Sequence, residues 1–204
     1  MSIEDYYEYH AREYFDATAF LNLENLYPFF LNELPSDGRI LDAGSGSGRD
    51  TKAFRERGFD VTSVEPSEAL ARLAERFTGQ SPIRRTFLDL DFNCEFDGVW
   101  ACASLLHVPK HQIGVVLHRL ADALKPEGVM FASFKEGRGE RTTEDGRFFA
   151  YYSPNEFRKI VRANGRFDEL AFLRTSEMRS LKQTAPWIAF VLRKNDCDNA
   201  PDQI

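Results

Sequence analysis

Cysteine and histidine are scarce in this sequence of 204 residues, which contains three cysteines and four histidines. No two cysteines form a Cys-x-x-Cys pair, so the sequence predicts neither a structural zinc site nor a disulfide framework. Pro109 lies between His107 and His111, and these two histidines therefore do not share a regular helical turn. No metal site is predicted.

Long apolar runs and an excess of basic residues are also missing. No apolar run approaches the ~18–20 residues that a membrane span requires. The acidic first residues, 1–5, lack the apolar core of a secretory signal. The formal net charge is -6, which argues against broad, nonspecific binding of nucleic acid. We therefore expect a cytoplasmic protein that does not enter a membrane.

What the sequence does contain is an alternation of strand-like and helix-like segments between residues 39 and 165. With the strand-like segments near the C-terminus, it gives seven predicted strands. This rhythm predicts one α/β domain on a mostly parallel sheet, whose antiparallel last strand lies at or inside an edge. Residues 1–35 are predicted to form a helical cap, residues 36–194 the core, and residues 195–204 a loose polar tail.

The stretch from Arg39 to Thr51 combines a strand, a glycine turn and the start of a helix. Asp42 ends the apolar strand, and glycines follow at alternate positions. Glycine lets bare backbone come close to a ligand, and the N–H groups of the next helix point into the same space. A dinucleotide turn, G-x-G-x-x-G, would need a third glycine where the chain has Arg49. A turn that binds nothing and a nucleotide site of another kind are the alternatives.

The pattern Asp-Ala-Gly-x-Gly-x-Gly resembles the cofactor loop of the class I S-adenosylmethionine-dependent methyltransferases. The resemblance implies a Rossmann-like three-layer sandwich and S-adenosyl-L-methionine as the cofactor. It implies that Asp42 lies near the ammonium group of this ligand. The backbone that it places beside the methionine portion belongs to Gly44, Ser45, Gly46, Ser47 and Gly48.

A second strand-like run ends in another acid, Glu65. In a doubly wound sheet, an acid at this position reaches the ribose of a nucleoside that lies across the strand ends. A carboxylate can accept hydrogen bonds from both ribose hydroxyls, so Glu65 is predicted to bind the ribose. Pro66 and Ser67 follow it and are included in the predicted cofactor site, with Ser67 as the N-cap of the next helix.

The adenine is expected at the end of the third strand, which is predicted over residues 83–89. The methyltransferase family usually holds the adenine between an apolar residue and a polar, hydrogen-bonding one. Leu88 and Asp89 fit those two roles. Asp91 is an alternative to Asp89, because the register of this segment is uncertain by a residue or two.

The methyl group is expected near Ser104 and His107, which follow a nearly continuous apolar strand. His107 has three interpretations: a hydrogen-bonded structural histidine, a contact to cofactor or substrate, or a catalytic general base. A general base must reach the proton that it takes, which a sequence does not reveal. From the N-terminal helical region, Tyr14 is a candidate cofactor ligand, because an aromatic face attracts a sulfonium cation.

A charged, glycine-containing segment, residues 135–152, follows the fifth strand. It leaves the carboxyl end of that strand, which opens on the ligand crevice, and is therefore predicted to form the substrate side of the pocket. The predicted substrate-binding residues are Lys135, Arg138, Arg147 and Tyr152. The cations would suit an anionic acceptor. The alternative is a solvated loop whose charges pair with neighbouring acids.

These patterns predict an S-adenosylmethionine-dependent methyltransferase that acts on a small-molecule acceptor by in-line methyl transfer. Such a reaction depends mainly on positioning two reactants. It needs a base only when the nucleophile carries a proton of high pKa. The alternatives are an RNA or protein methyltransferase and a non-catalytic sensor that binds S-adenosylmethionine or a nucleotide. We expect a monomer or a homodimer.

Overall fold

The computed structural model describes residues 3–175 and 186–195. Its helices are α1 (Ile3–Tyr9), α2 (Ala11–Thr18), α3 (Pro28–Leu31), α4 (Arg49–Glu56), α5 (Glu68–Thr78), α6 (Ile113–Ala123) and α7 (Pro154–Asn164). Its strands are β1 (Arg39–Ala43), β2 (Asp60–Val64), β3 (Phe96–Ala101), β4 (Leu124–Lys135), β5 (Glu140–Thr142), β6 (Phe148–Ala150), β7 (Phe167–Thr175) and β8 (Trp187–Lys194). Of the predicted tail, residues 196–204 lie outside the described part.

The main sheet has the strand order β2-β1-β3-β4-β8-β7. β1 pairs in parallel with β2 and β3, and β3 pairs in parallel with β4. β8 runs antiparallel to both of its neighbours, β4 and β7. The predicted α/β fold, mostly parallel with an antiparallel last strand, is therefore confirmed. β8 lies inside the sheet, which leaves β7 at the edge.

The prediction of a third strand over residues 83–89 was wrong, and the main sheet of the described chain has six strands. Ile83 makes one parallel bridge to Val64, but the chain then turns into a 3-10 helix at Phe87–Asp89. Thr86 and Asp89 cap that turn reciprocally. Short polar side chains that bond to nearby backbone compete in this way with a strand ladder.

The charged segment after β4 forms a hairpin of β5 and β6, paired antiparallel. Its turn is closed by the Thr143 N–H, which donates to the Arg147 carbonyl oxygen at 2.8 Å. Phe149 faces the core and is buried. The hairpin is thus attached to the body of the domain by an aromatic side chain and is more regular than a loop.

Aromatic side chains fill the core beneath the loops that leave β1 and β3. Trp100 on β3 stacks on Phe131 of β4, with ring centroids 4.0 Å apart. Phe54 of α4 meets Trp100 edge-on at 5.3 Å, and Phe30 of α3 lies 5.2 Å from the same ring. Such aromatic pairs stabilise a fold by about 0.5–1.5 kcal/mol beyond the area that they bury. They fix α3 and α4 against the strands that carry the loops.

The first turn after β1 depends on a glycine at position 44. Gly44 has a φ of +80°, and a Cβ there would lie 2.6 Å from the Cβ of Ser104. The N–H groups of Gly44 and Ser45 both donate to the Val64 carbonyl oxygen, at 3.0 and 2.9 Å. The turn therefore joins the ends of β1 and β2 and packs on the end of β3 without room for a side chain.

We expect Gly44→Ala to destabilise the fold more than Gly79→Ala. Both glycines have a positive φ, +80° and +75°, so each substitution costs about 1–2 kcal/mol in backbone strain. Only position 44 adds a clash, because nothing lies within 4 Å of a Cβ at position 79. Overpacking typically costs about 1–3 kcal/mol more. Denaturant unfolding of the two variants measures the difference, and equal losses would contradict the packing role of Gly44.

Candidate active site

A cavity of about 520 Å³ opens at the carboxyl ends of the central parallel strands. Its walls come from the loops after β1, β2 and β3, from α1 and α2, and from the β5–β6 hairpin. The residues named from the sequence that line it are Tyr14, Gly44, Gly46, Glu65, Pro66, Leu88, Ser104 and His107. Segments far apart in the chain thus converge where parallel α/β sheets usually bind ligands.

Glu65 is buried at the end of β2, and its carboxylate holds the two loops beside it. One oxygen accepts from the Gly46 N–H at 3.0 Å, and the other accepts from the Ser67 N–H at 3.0 Å. Burial raises the pKa of Glu65 to about 7, against the lowering effect of these hydrogen bonds. Each carboxylate oxygen has two lone pairs, so both retain capacity for a ligand. Ribose binding by Glu65 stays a prediction that this geometry accommodates.

Asp42 does not line the cavity, and its contact with the ammonium group of the ligand stays a prediction. Its carboxylate accepts from the Thr51 hydroxyl at 2.6 Å, and the side chain is buried beneath the glycine turn, outside the cavity wall. Burial and the charge of Asp50 raise the pKa of Asp42 to about 7. In this structure Asp42 joins β1 to α4 and lies behind the loop rather than at the cavity.

A buried charged pair that the sequence analysis did not single out lies next to Asp42. Arg49 donates two hydrogen bonds to Asp50, at 2.8 and 2.6 Å. Tyr27 and Trp100 also donate to this carboxylate, at 2.7 and 2.8 Å. Burial raises the pKa of Asp50, but the charge and hydrogen bonds of Arg49 outweigh it and leave that pKa lowered. The signal in the sequence was the Arg-Asp pair directly after the last loop glycine.

The remaining predicted loop residues lie around the cavity rather than in its wall. Ser45 and Ser47 do not line the cavity, and the Ser45 hydroxyl is buried without a hydrogen-bond partner among the described residues. Gly48 is the N-cap residue of α4, with a φ of +79°. Ser67 caps α5 as predicted, accepting from the Leu70 N–H at 3.1 Å.

The predicted adenine contacts are separated by the structure. Leu88 lines the cavity. The Asp89 carboxylate is exposed, lies outside the cavity wall and accepts from the backbone N–H and hydroxyl of Thr86. Asp91 forms an ion pair with Arg85. Phe87, which the sequence analysis did not name as a ligand, does line the cavity.

His107 is bonded through both ring nitrogens. Its Nδ1 lies 2.7 Å from the Phe148 carbonyl oxygen on β6, and its Nε2 lies 2.8 Å from the Tyr7 hydroxyl on α1. A carbonyl oxygen only accepts, so Nδ1 carries the proton, and in the neutral ring Nε2 accepts from Tyr7. Tyr7 was not among the site residues predicted from the sequence. The available signal was its place seven residues before Tyr14, in the same aromatic segment.

Tyr14 and Ser104 frame the glycine turn from opposite sides. The Tyr14 ring approaches Gly46, where a Cβ would lie 3.2 Å from its Cε1 atom. The Tyr7 ring meets the Tyr14 ring edge-on, with centroids 4.9 Å apart. The Ser104 hydroxyl donates to the Ala43 carbonyl oxygen at 2.7 Å. Both residues line the cavity, and their contacts with a cofactor stay predictions. Ser104 also ties the end of β3 to β1.

The hairpin contributes to the cavity through residues other than those predicted. Thr142, Gly146 and Phe148 line it. Arg147 lies outside the wall, where it forms an ion pair with Asp145 at 2.6 Å and places its guanidinium 5.2 Å from the Tyr6 ring centroid. Surface pairing of this kind was the alternative interpretation of the charged segment.

The other predicted substrate residues are also directed elsewhere. Lys135 is buried, with its Nζ 3.7 Å from the centre of the Phe149 ring. Tyr152 is buried in the core, 4.8 Å from the Phe134 ring centroid. Arg138 borders a separate surface depression near the start of α7. None of these three residues lines the cavity, and their role toward a substrate stays a prediction.

The described residues contain neither a candidate metal site nor a candidate membrane span. Residues 3–175 and 186–195 contain no group of three or more histidine, cysteine, aspartate or glutamate residues that could hold a metal ion. No helix within the same ranges is long and apolar enough to cross a membrane.

Known proteins resemble this chain over most of its length. Residues 15–165 match a family model described as a methyltransferase domain. The 1,6-didemethyltoxoflavin-N1-methyltransferase of Burkholderia thailandensis, solved with bound 1,6-didemethyltoxoflavin and S-adenosylhomocysteine, is 25% identical with a TM-score of 0.75. The match covers 94% of this chain and 85% of that protein.

Curated relatives match shorter parts. An uncharacterized methyltransferase of Staphylococcus carnosus is 26% identical over 66% of this chain and 65% of its own length. A ubiquinone biosynthesis O-methyltransferase of Nitrobacter winogradskyi is 37% identical over 47% of this chain and 38% of its own length. The chain thus spans less than two thirds of these relatives. The family model nevertheless covers well over half of the chain, and the protein belongs to the methyltransferase domain family.

Proposed function

We propose that this protein is an S-adenosylmethionine-dependent methyltransferase whose acceptor is a small molecule. The observation that carries the proposal is the buried Glu65 carboxylate beside the open backbone of Gly44 and Gly46, at the carboxyl ends of adjacent parallel strands. Membership of the methyltransferase domain family agrees with it. The cavity walls contributed by α1, α2 and the β5–β6 hairpin favour a small acceptor over a macromolecule.

The residues at the cavity fit the proposed cofactor. The glycine turn leaves backbone uncovered, and the carboxylate of Glu65 has lone pairs left for the ribose hydroxyls. Leu88 and Phe87 supply apolar surface for a purine. Tyr14 presents an aromatic ring beside Gly46, and such rings attract a sulfonium group. When bound, S-adenosylmethionine supplies a methyl group that its positive sulfur has already activated.

The protein's own contribution is to hold the reactants and exclude water. Residues of α1, α2 and the hairpin share the cavity wall with the strand-end loops, so a bound acceptor loses solvent on several sides. Precise positioning of two reactants supplies much of the rate enhancement in reactions of this type. His107 is the proposed base for a proton that leaves the acceptor; the Tyr7 hydroxyl lies between this proton and Nε2, and Phe148 fixes the other ring proton on Nδ1.

We expect titration calorimetry to detect binding of S-adenosylmethionine and S-adenosylhomocysteine, and no binding of NAD. The glycine turn has Arg49 where a dinucleotide turn has its third glycine, so it does not present a pyrophosphate site. Micromolar affinity for NAD without binding of either sulfur ligand would overturn the proposal. Binding of the cofactor without methylation of any compound in a metabolite extract, screened with labelled cofactor, would favour a sensor.

The affinity for S-adenosylhomocysteine should fall as the pH is lowered from 8 to 6. The pKa of Glu65 is about 7 in the unliganded protein, and ribose hydroxyls donate more strongly to the carboxylate than to the carboxylic acid. Below that pKa the dissociation constant should rise by up to about tenfold per pH unit. Glu65→Gln should bind more weakly and flatten the profile between pH 6 and 8. A wild-type profile that is already flat would place Glu65 away from the ligand.

Without ligand, the stability of the fold should change in the opposite direction. Folding raises the pKa values of Asp42 and Glu65 from 3.8 and 4.5 to about 7, so the folded state binds these protons more tightly than the unfolded chain. The contribution of these groups is therefore fully present below pH ~4 and is lost as the pH rises through ~7. Thermal unfolding at pH 6 and 8 should show the loss, and Glu65→Gln should reduce it.

A further inference from the structure

We propose that Tyr7 takes the proton of the methyl acceptor and passes its own proton to His107, and that the acceptor is an uncharged aromatic molecule methylated on a ring hydroxyl or ring N–H. This inference rests on the proposed methyltransferase function and extends it to a proton path and an acceptor class. Its basis is the juxtaposition of Tyr7, His107 and the Phe148 carbonyl at the cavity.

The partners of His107 determine which ring nitrogen donates and which accepts. The Phe148 carbonyl oxygen can only accept, so the Nδ1–H of His107 donates to it across 2.7 Å. In the neutral ring, Nε2 then accepts the proton of the Tyr7 hydroxyl across 2.8 Å. The same carbonyl stabilises the imidazolium that forms when Nε2 gains a proton, since Nδ1 keeps its partner. The Tyr7 hydroxyl can thus pass its proton to Nε2 in a single transfer, because the imidazole ring is already correctly oriented.

A bound acceptor would contact this proton path at the Tyr7 hydroxyl. Both Tyr7 and His107 line the cavity, but both ring nitrogens of His107 are already engaged by protein groups. Direct contact with Nε2 would require the Tyr7 hydroxyl to leave. Transfer through the Tyr7 Oη atom requires no such displacement.

The surroundings of Tyr7 favour this role. Its ring is held edge-on between Tyr6 and Tyr14, at centroid distances of 5.3 and 4.9 Å. The positive charge of Arg147 acts on the Tyr7 side chain and would stabilise negative charge that develops on its oxygen. Tyr6, Tyr14, His107 and Arg147 are the titratable groups that these contacts place around Tyr7.

The cavity wall near His107 indicates the chemistry of the acceptor. Val108, Pro109 and Phe148 make it apolar, with the neutral side chains of Gln112 and Thr142 beside them. Three of the wall residues in the described chain are charged. Those residues are Glu65, Glu4, whose charge acts on Glu65, and Arg85, which pairs with Asp91.

Burying an acceptor charge against these apolar residues would remove its hydration, which is unfavourable. A flat aromatic ring instead packs well against Phe148 and Tyr7. An aromatic O–H or N–H is also acidic enough for a tyrosine–histidine pair to deprotonate during the reaction. The anionic acceptor suggested by the cations of the hairpin segment is replaced by an uncharged one, because those cations do not line the cavity.

The proposed step is balanced in atoms and charge. As the acceptor oxygen or nitrogen bonds to the methyl carbon, the carbon–sulfur bond breaks and its electron pair stays on sulfur. The acceptor's proton goes to Tyr7 Oη, and the hydroxyl proton of Tyr7 goes to His107 Nε2. Tyr7 ends neutral and His107 ends as the imidazolium, which later releases its proton to water.

The test uses 4-nitrophenol as a phenol probe, because its ionised form has a distinct visible absorption. The whole protein is saturated with S-adenosylhomocysteine, so that no methyl transfer occurs, and the absorbance is titrated against pH. We expect the wild type to lower the apparent pKa of the bound probe by one unit or more. Tyr7→Phe and His107→Asn should each abolish most of this shift. Tyr9→Phe is the matched control, because Tyr9 lies on the same helix and is 76% exposed.

Calorimetry with S-adenosylhomocysteine distinguishes a failure of this inference from a failure of the proposed function. Affinity within about twofold of wild type in Tyr7→Phe shows that the variant folds. If the wild type does not bind this ligand, the proposed function itself fails. The inference is overturned if every variant binds S-adenosylhomocysteine and Tyr7→Phe ionises the probe as well as wild type does. In that case the tyrosine only donates a hydrogen bond to Nε2. Failure of the wild type to bind or ionise the probe would also overturn it.

Discussion

The site depends on one buried carboxylate with two backbone partners. Glu65 accepts from an amide in the loop after β1 and from another in its own loop, so it fixes the distance between the ends of adjacent strands. The parallel pairing of β1 and β2 brings these ends together, and the glycine turn directs the Gly46 N–H at the carboxylate. Burying the carboxylate is unfavourable, as its raised pKa indicates. A ligand that donates hydrogen bonds to it would offset part of this cost.

Local patterns in the sequence predicted the parts of the structure that depend on local chemistry. The glycine turn, the acid at the end of β2 and the Ser67 cap are determined by residues within a few positions of one another. The missing third strand was also a local matter, but there the reciprocal cap of Thr86 and Asp89 prevailed over strand propensity. A sequence pattern does not rank two local preferences that compete for the same residues.

Sequence patterns did not predict the contacts between segments that are far apart in the chain. Tyr7 and His107 are one hundred positions apart, and no spacing rule connects a residue of α1 with the end of β3. The charges of the hairpin show the same limit. A basic residue near the cavity can point into it or pair beside it, and Arg147 pairs with Asp145. Lys135 ends β4 and Tyr152 follows β6, and only the packing of these segments on the rest of the domain determines that both side chains are buried.

The position of β8 inside the sheet affects how the chain folds during its synthesis. This strand, the last one within the described residues, inserts between β4 and β7 and pairs with both. During synthesis, β4 therefore exposes an unpaired edge until residues 187–194 have left the ribosome. Exposed edges of this kind recruit other strands. A chain truncated before β8 would keep this edge unpaired, and with it the tendency to pair with strands of other molecules.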